Sequence, residues 1–154
     1  MAIEQPTIEL RRATIADVPR MVELIAGANL PPLFVVEHID GFVVAEQGDA
    51  VVGCGGIELF GRCAVIRSVV VDEAWRGTGL GKRLYDALMA IAVPASISDV
   101  YLFTADARDF WQHLGFREIT FEDWKPEARM NWQYQFLSQN RDLVPEVMTM
   151  WRPS

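Results

Sequence analysis

The stretch Val69-Val70-Val71-Asp72-Glu73-Ala74-Trp75-Arg76-Gly77-Thr78-Gly79-Leu80-Gly81-Lys82-Arg83-Leu84 runs from an apolar strand through a glycine-rich turn into a helix. Glycines at 77, 79 and 81 let the backbone approach a ligand with no side chain in the way. The helix that follows begins with amides that have no intrahelical partner. Those N–H groups and the positive end of the helix dipole form a cradle for a phosphate or pyrophosphate. Packing alone accounts poorly for so much glycine, because each one inside a helix costs about 1 kcal/mol relative to alanine.

Spacing decides which phosphate ligand is meant. A Walker A loop needs a glycine five residues before Gly81 and a Ser or Thr after Lys82, where this chain has Arg76 and Arg83. A dinucleotide fingerprint needs G-x-G-x-x-G directly after the strand, whereas here G-x-G-x-G follows an intervening Asp72 to Arg76 segment. The pattern that fits is R-x-x-G-x-G, carried by Arg76, Gly79 and Gly81. It resembles the coenzyme A signature of the GNAT superfamily of N-acetyltransferases. A second segment, Phe110-Trp111-Gln112-His113-Leu114-Gly115-Phe116, is similar to the helix-then-glycine end that this superfamily carries after its fifth strand, with Trp111 where tyrosine is usual. Gly115 reads independently as a left-handed residue just past a helix end, with Phe116 opening a strand.

Composition sets compatible bounds. A chain of 154 residues with 51% apolar residues can close a single core, so 1–154 is read as one domain, which the resemblance implies is an acyl-CoA N-acyltransferase domain. The sequence has no apolar run long enough to span a bilayer, and Met1 to Gln5 lack a basic region followed by an apolar one, so a cytoplasmic, non-membrane protein is expected. Cys54 and Cys63 fall in strand-like segments and read as buried free thiols. With two His, two Cys and no ligand spacing, no metal site is expected. A net charge of −7 argues against a nucleic-acid partner, which needs a basic face.

The chain reads as alternating strands and helices. Ile8 to Arg12 forms a first strand, and Thr14 or Asp17 caps a helix carrying Val18, Met21, Val22, Leu24 and Ile25 at helical spacing. Leu33 to Ile39 is a second short helical segment or an ordered loop of the kind that shapes a substrate pocket. Strands follow at Phe42 to Glu46, Ala50 to Leu59 and Cys63 to Val71, the first two joined at Gly48-Asp49. The cradle helix spans Gly77 to Ala92 with Leu80, Leu84, Leu88 and Ile91 inward; a fifth strand covers Val100 to Thr104, and a helix covers Ala107 to Leu114. In the tail, a helix is expected around Pro126 to Leu137 and a last strand near Glu146 to Trp151.

Strands apolar on both faces imply a sheet covered on both sides. The resemblance implies the GNAT fold, an α/β architecture with a mixed central sheet of about six to seven strands, splayed between the fourth and fifth. It further implies that backbone groups of Val69, Val70 and Val71 bond the pantetheine arm and the acetyl carbonyl of acetyl-CoA. Arg76, Gly77, Thr78, Gly79, Leu80, Gly81 and Lys82 would hold the pyrophosphate, with Trp111 also on the coenzyme side. The reaction implied is direct attack of a neutral amine on the thioester in a ternary complex. It requires a proton acceptor, donors for the developing oxyanion, and a way to protonate the leaving thiolate.

Glu58 is the candidate base. If Gly61-Arg62 forms a two-residue type II′ turn, Phe60 pairs with Cys63 and Glu58 lies opposite Val65, one diagonal step from Arg67. Both charges interrupt apolar strands and need a partner or a function, and a structural ion pair is the competing reading. Many GNAT enzymes carry a glutamate on the fourth strand, where Val65 and Arg67 stand here. For the leaving-group acid, Trp111 is excluded because an indole N–H cannot protonate a thiolate at neutral pH. Tyr134 is assigned instead, with Tyr101 as the alternative, although a buried tyrosine usually serves packing. Arg67, Glu58 and His38 are the candidate acceptor contacts, a guanidinium being suited to bidentate carboxylate recognition. His113 reads as a solvated helix residue.

Within the superfamily, Val52-Gly53-Cys54-Gly55-Gly56-Ile57-Glu58-Leu59, Ile66-Arg67-Ser68-Val69 and Leu102-Phe103-Thr104-Ala105 resemble small bacterial acetyltransferases related to N-acetylglutamate synthase and those associated with arsenic resistance. That resemblance implies a small-molecule amine acceptor, an amino acid or analogue. A protein N-terminal or lysine acetyltransferase and a non-catalytic acyl-CoA-binding module stay open, as does a homodimer. Trp124 to Asn140 departs from the family pattern.

Overall fold

The computed structural model describes residues 7–154. Residues 1–6, on which the expectation of no leader segment rests, lie outside the described residues. Seven strands form one sheet in the order β1-β2-β3-β4-β5-β7-β6. They are β1 (Ile8–Arg12), β2 (Phe42–Gln47), β3 (Ala50–Phe60), β4 (Cys63–Val71), β5 (Asp99–Thr104), β6 (Arg117–Ile119) and β7 (Met148–Pro153). The helices are α1 (Val18–Gly27), α2 (Leu80–Ala92), α3 (Arg108–His113) and α4 (Trp132–Gln139). The sheet is mixed: β1–β2, β2–β3, β5–β7 and β6–β7 pair antiparallel, and β4–β5 pair parallel. The parallel register runs from Cys63↔Asp99 to Ile66↔Leu102 and stops there, while both strands continue.

Contacts divide the chain into two compact units, one holding residues up to Gly56 with Ser68–Ala90, the other Ile57–Arg67 with Ile91–Ser154. In the first unit, strand alternation sorts the helices onto the two faces. Met21, Leu24 and Ile25 of α1 pack in one cluster with Phe42, Val44 and Cys54. Gly53 and Gly55 point the other way. A Cβ at Gly53 would lie 3.2 Å from Leu84, and one at Gly55 would lie 3.1 Å from Leu88, so α2 rests directly on the backbone of β3. Burial of Leu80, Leu84 and Leu88 stabilises this seat by about 2 kcal/mol each, before the cost of ordering, and holds the helix start in place.

In the second unit the same period places Cys63 and Val65 of β4 under an aromatic cover. Cys63, Val65, Tyr101, Trp124, Ala128 and Tyr134 form its core cluster. Trp124 stacks on Tyr101 at 4.4 Å, and its indole N–H donates to the Thr149 hydroxyl at 2.7 Å. Arg67 continues the Cys63, Val65 parity and so belongs to this face.

Some boundaries differ from the sequence reading. The cradle helix begins at Leu80 and not at Gly77, because Gly77 and Gly79 take φ of 76° and 85°, which no right-handed helix accepts. Of the two readings for Leu33 to Ile39 the ordered loop holds: residues 34–38 form a bend and turns, followed by a single 3₁₀ turn at Ile39–Gly41. The tail helix starts at Trp132 and not near Pro126: a 3₁₀ turn at Ala128–Met130 precedes it, and the extended Asn131 (ψ 136°) cannot lie inside a helix. The last strand starts at Met148 because Pro145-Glu146 form a turn closed by the Val147 N–H to Val144 carbonyl bond. Cys54 and Cys63 are both buried and neither forms a disulfide, and burial pushes the Cys63 thiol up. Among the described residues no helix is long and apolar enough to cross a membrane.

Candidate active site

The glycine-rich turn is built from main chain. At the end of β4, Asp72 donates its N–H to the Val52 carbonyl at 2.8 Å, and its carboxylate accepts from the Ala74 N–H at 3.1 Å and from Arg20 at 2.8 Å. These contacts fix the point at which the chain leaves the sheet. The Thr78 hydroxyl then donates to the Trp75 carbonyl at 2.5 Å, folding the turn back towards the start of α2. A Cβ at Gly77 or Gly79 would meet nothing within 4 Å. Glycine is required there by backbone conformation, and the space beside it is open to a ligand. Helix-start amides, positive-φ glycines and an open approach fit a pyrophosphate.

The side chains of this segment contribute less order. Arg76 is exposed and its Nε donates to the Val71 carbonyl at 3.4 Å. Lys82 is exposed and pairs with Asp86 one turn along at 2.8 Å. Just before Val69, Ser68 takes a φ of 57°, a left-handed break in β4 that a non-glycine residue seldom adopts.

A second constellation lies on β3 and β4 within the other unit. Gly61 has a φ of 61°, the sign that the first central position of a type II′ turn requires, and only Gly61-Arg62 separate the two strands. Glu58 and Arg67 consequently share a face, with Arg67 Nη1 donating to Glu58 Oε2 at 3.4 Å and both side chains at most 3% exposed. Two further donors reach the carboxylate. Asn131 Nδ2 donates to Oε1 at 3.0 Å and Trp132 Nε1 donates to Oε2 at 3.2 Å. The Arg67 guanidinium lies 5.0 Å from the centre of the Trp132 ring. Asn131 and Trp132 were not singled out from the sequence. At 73 and 74 residues from Glu58 they leave no spacing signal, although an asparagine ahead of a helix is a recognisable cap.

The other residues named from the sequence sit as follows. Trp111 is buried on α3 between Phe110 and Phe116, at 4.9 and 5.4 Å. Gly115 (φ 92°) closes α3, its N–H donating to Gln112 while the Phe116 N–H reaches Trp111, the double bond pattern of a left-handed helix end. Tyr134 is buried against Trp124 and Phe121, and its hydroxyl donates to the Phe121 carbonyl at 3.2 Å. That is the setting of a packed core tyrosine. The Tyr101 hydroxyl accepts from the Lys125 N–H, and burial pushes its ionisation up. His38 is half-buried in the other unit, at the end of the 34–38 turns, and His113 is exposed with Nδ1 at 2.7 Å from the Asp109 carbonyl oxygen. Among the described residues no group of three or more His, Cys, Asp or Glu could hold a metal ion.

Residues 38–118 match the Acetyltransferase (GNAT) domain. The chain is 36% identical over 122 residues to an amino-acid acetyltransferase of Mycobacterium tuberculosis, covering 71% of this chain and 68% of that protein. The chain belongs to the GNAT family of acetyltransferases, and it is an acetyl-CoA-dependent N-acetyltransferase. Among solved structures it resembles a Mycobacterium tuberculosis protein in complex with CoA and NLQ, with a TM-score of 0.79, 25% identity, and coverage of 95% of this chain and 99% of that one. It also resembles the N-acetylglutamate synthase of Neisseria gonorrhoeae complexed with coenzyme A and N-acetyl-glutamate, with a TM-score of 0.80 and 19% identity over 97% of this chain. The chain spans 36% of that enzyme's length, and the likeness there is one of fold.

Proposed function

We propose that this enzyme transfers the acetyl group of acetyl-CoA to the primary amine of a small molecule that also carries a carboxylate, an amino acid or close analogue. The observation that carries the reading is the buried Glu58–Arg67 pair. The Arg67 Nη1 to Glu58 Oε2 distance, 3.4 Å, is longer than a tight charge-assisted contact. A neutral but strongly dipolar pair in a dry site is complementary to a zwitterion, whose carboxylate can meet Arg67 while its ammonium meets Glu58. Such an exchange leaves no net charge uncompensated, whereas an amine lacking the carboxylate satisfies only one half. The relative named amino-acid acetyltransferase supports the same acceptor class.

In this reading the coenzyme supplies a thioester carbonyl for the amine to attack. The backbone of Arg76 to Lys82 holds its pyrophosphate, and the amides of Val69 to Val71 serve as donors for the developing oxyanion. Glu58 takes the ammonium proton, directly or through a water, and Arg67 fixes the amine's direction of approach. Collapse of the tetrahedral adduct breaks the C–S bond and releases coenzyme A as the thiolate, which takes its proton from solvent, so Tyr134, its hydroxyl engaged by the Phe121 carbonyl, is not used as an acid.

The test compares an α-amino acid with its amide and its decarboxylated analogue, in wild type, Arg67→Lys and Arg67→Met. Wild type is expected to favour the carboxylate form by ~10²-fold in kcat/KM, an effect in the range of a charge-assisted bond pair. Arg67→Met is expected to lose most of that preference, and Arg67→Lys part of it. Equal rates with the acid and its amide in wild type, or the full preference kept in Arg67→Met, would sink the proposal.

A further inference from the structure

The Asn131-Trp132 step is the part of the Glu58 cluster supplied by the segment that departs from the family pattern. Its geometry is specific. Asn131 caps α4, its Oδ1 accepting from the Tyr134 N–H at 3.0 Å, so the other end of the amide must be the donor that reaches Glu58. The cap therefore fixes the amide orientation without ambiguity. Trp132, first residue of the helix, presents its N–H to Glu58 and its ring face to Arg67. One helix start thereby touches both members of the buried pair. A pair made only across the β3–β4 hairpin would be free to close into a tight bidentate contact, which would consume both groups.

We propose that Asn131 and Trp132 are positioning residues that hold the Glu58 carboxylate and the Arg67 guanidinium apart, at the separation an amino-acid acceptor needs. The inference rests on the acceptor reading given above. Trp132 has two separable duties, the N–H setting Glu58 and the ring face setting Arg67. Asn131 has one duty towards Glu58 besides its cap.

The substitutions separate these duties. Trp132→Phe keeps a ring face and removes the donor. It is expected to lower kcat by ~10-fold, as small misplacements of a reacting group do, and to leave the acceptor KM within ~2-fold. Trp132→Leu removes both and is expected to lower kcat similarly while raising the acceptor KM by ~10-fold. Asn131→Asp keeps the cap but faces Glu58 with a second carboxylate, and is expected to lower kcat by ~10-fold or more. Acetyl-CoA affinity by calorimetry is expected to be unchanged in all three. Wild-type kcat and KM in both Trp132 variants, with only the melting temperature lowered, would assign the indole to packing and overturn the proposal. Equal acceptor KM in the Phe and Leu variants would overturn its Arg67 half. Glu58→Gln is the control: wild-type turnover there removes the acceptor reading itself, whereas a slow Glu58→Gln beside a fast Trp132→Phe removes this inference alone.

Discussion

Residues 76–82 shape their site with main chain, whereas Glu58, paired with Arg67, depends on side chains delivered from 73 and 74 residues further along. The first kind of site is written locally. Its glycines are there because φ must be positive at 77 and 79, and its donors are amides that any residue supplies. The second kind is written in tertiary structure. Which donor meets Glu58 follows from where α4 begins, and that depends on how Trp124, Ala128 and Tyr134 pack over β4 and β5. A backbone site should therefore fail through conformation and a side-chain site through chemistry.

The largest effect expected from that contrast is at Gly79. A φ of 85° admits an L-residue only under strain, and Gly79→Asp adds a carboxylate where an anion is to bind. Acetyl-CoA binding is expected to become undetectable by calorimetry, while Gly79→Ala, strained but uncharged, loses ~10-fold. Unchanged affinity in the Asp variant would break the comparison, because it would mean that the turn does not hold the coenzyme.

The same contrast explains what was legible in the sequence. β1 and β4 were placed to the residue, and the Gly48-Asp49 and Gly61-Arg62 turns were found, because period-two patterning and glycine punctuation are local signals. The Glu58–Arg67 contact followed from turn type and register in the same way. The helix near Pro126 was misplaced because the anchors of that segment, Trp124, Ala128 and Tyr134, answer to the aromatic cover of β4 and β5 and not to a continuous helical stripe. The expected helix ran through Asn131, so its cap was not read, and its partner leaves no local signal at all. No local rule connects position 131 with position 58.

A smaller effect distinguishes how the first unit is held. Asp17 accepts from both ends of the Arg11 guanidinium at 2.8 Å and from the Thr14 N–H at 2.7 Å, and these bonds, that to Arg11 foremost, outweigh burial and lower it from 3.8 to about 2. A carboxylate lowered by folding stabilises the fold above its unfolded value and loses that contribution as the pH falls from about 4 through 2. The share is about 1–2 kcal/mol, since Arg11 is itself 38% exposed. Asp17→Asn is expected to lower the melting temperature at pH 7 and to flatten the decline between pH 4 and 2. A variant with an unaltered acid transition would show that the Arg11 contact adds nothing, and would leave the Arg20 bridge to Asp72 as the main charged tie of α1 to the cradle.

The smallest effect is expected at Lys82, and it is the sharpest check on a main-chain cradle. Its side chain is 63% exposed and pairs with Asp86 at 2.8 Å, so it would meet a phosphate only as a solvated point charge already in part neutralised. Exposed ion pairs contribute a few tenths to about 1 kcal/mol and weaken with salt. Lys82→Ala is accordingly expected to weaken acetyl-CoA binding by ~3-fold at low ionic strength and by less at high salt, with kcat unchanged. Calorimetry at two salt concentrations reads both terms. A loss approaching that of Gly79→Asp would mean that a side chain, and not the turn, carries the anion, and the distinction between a site made of backbone and one made of side chains would fail at its simpler end.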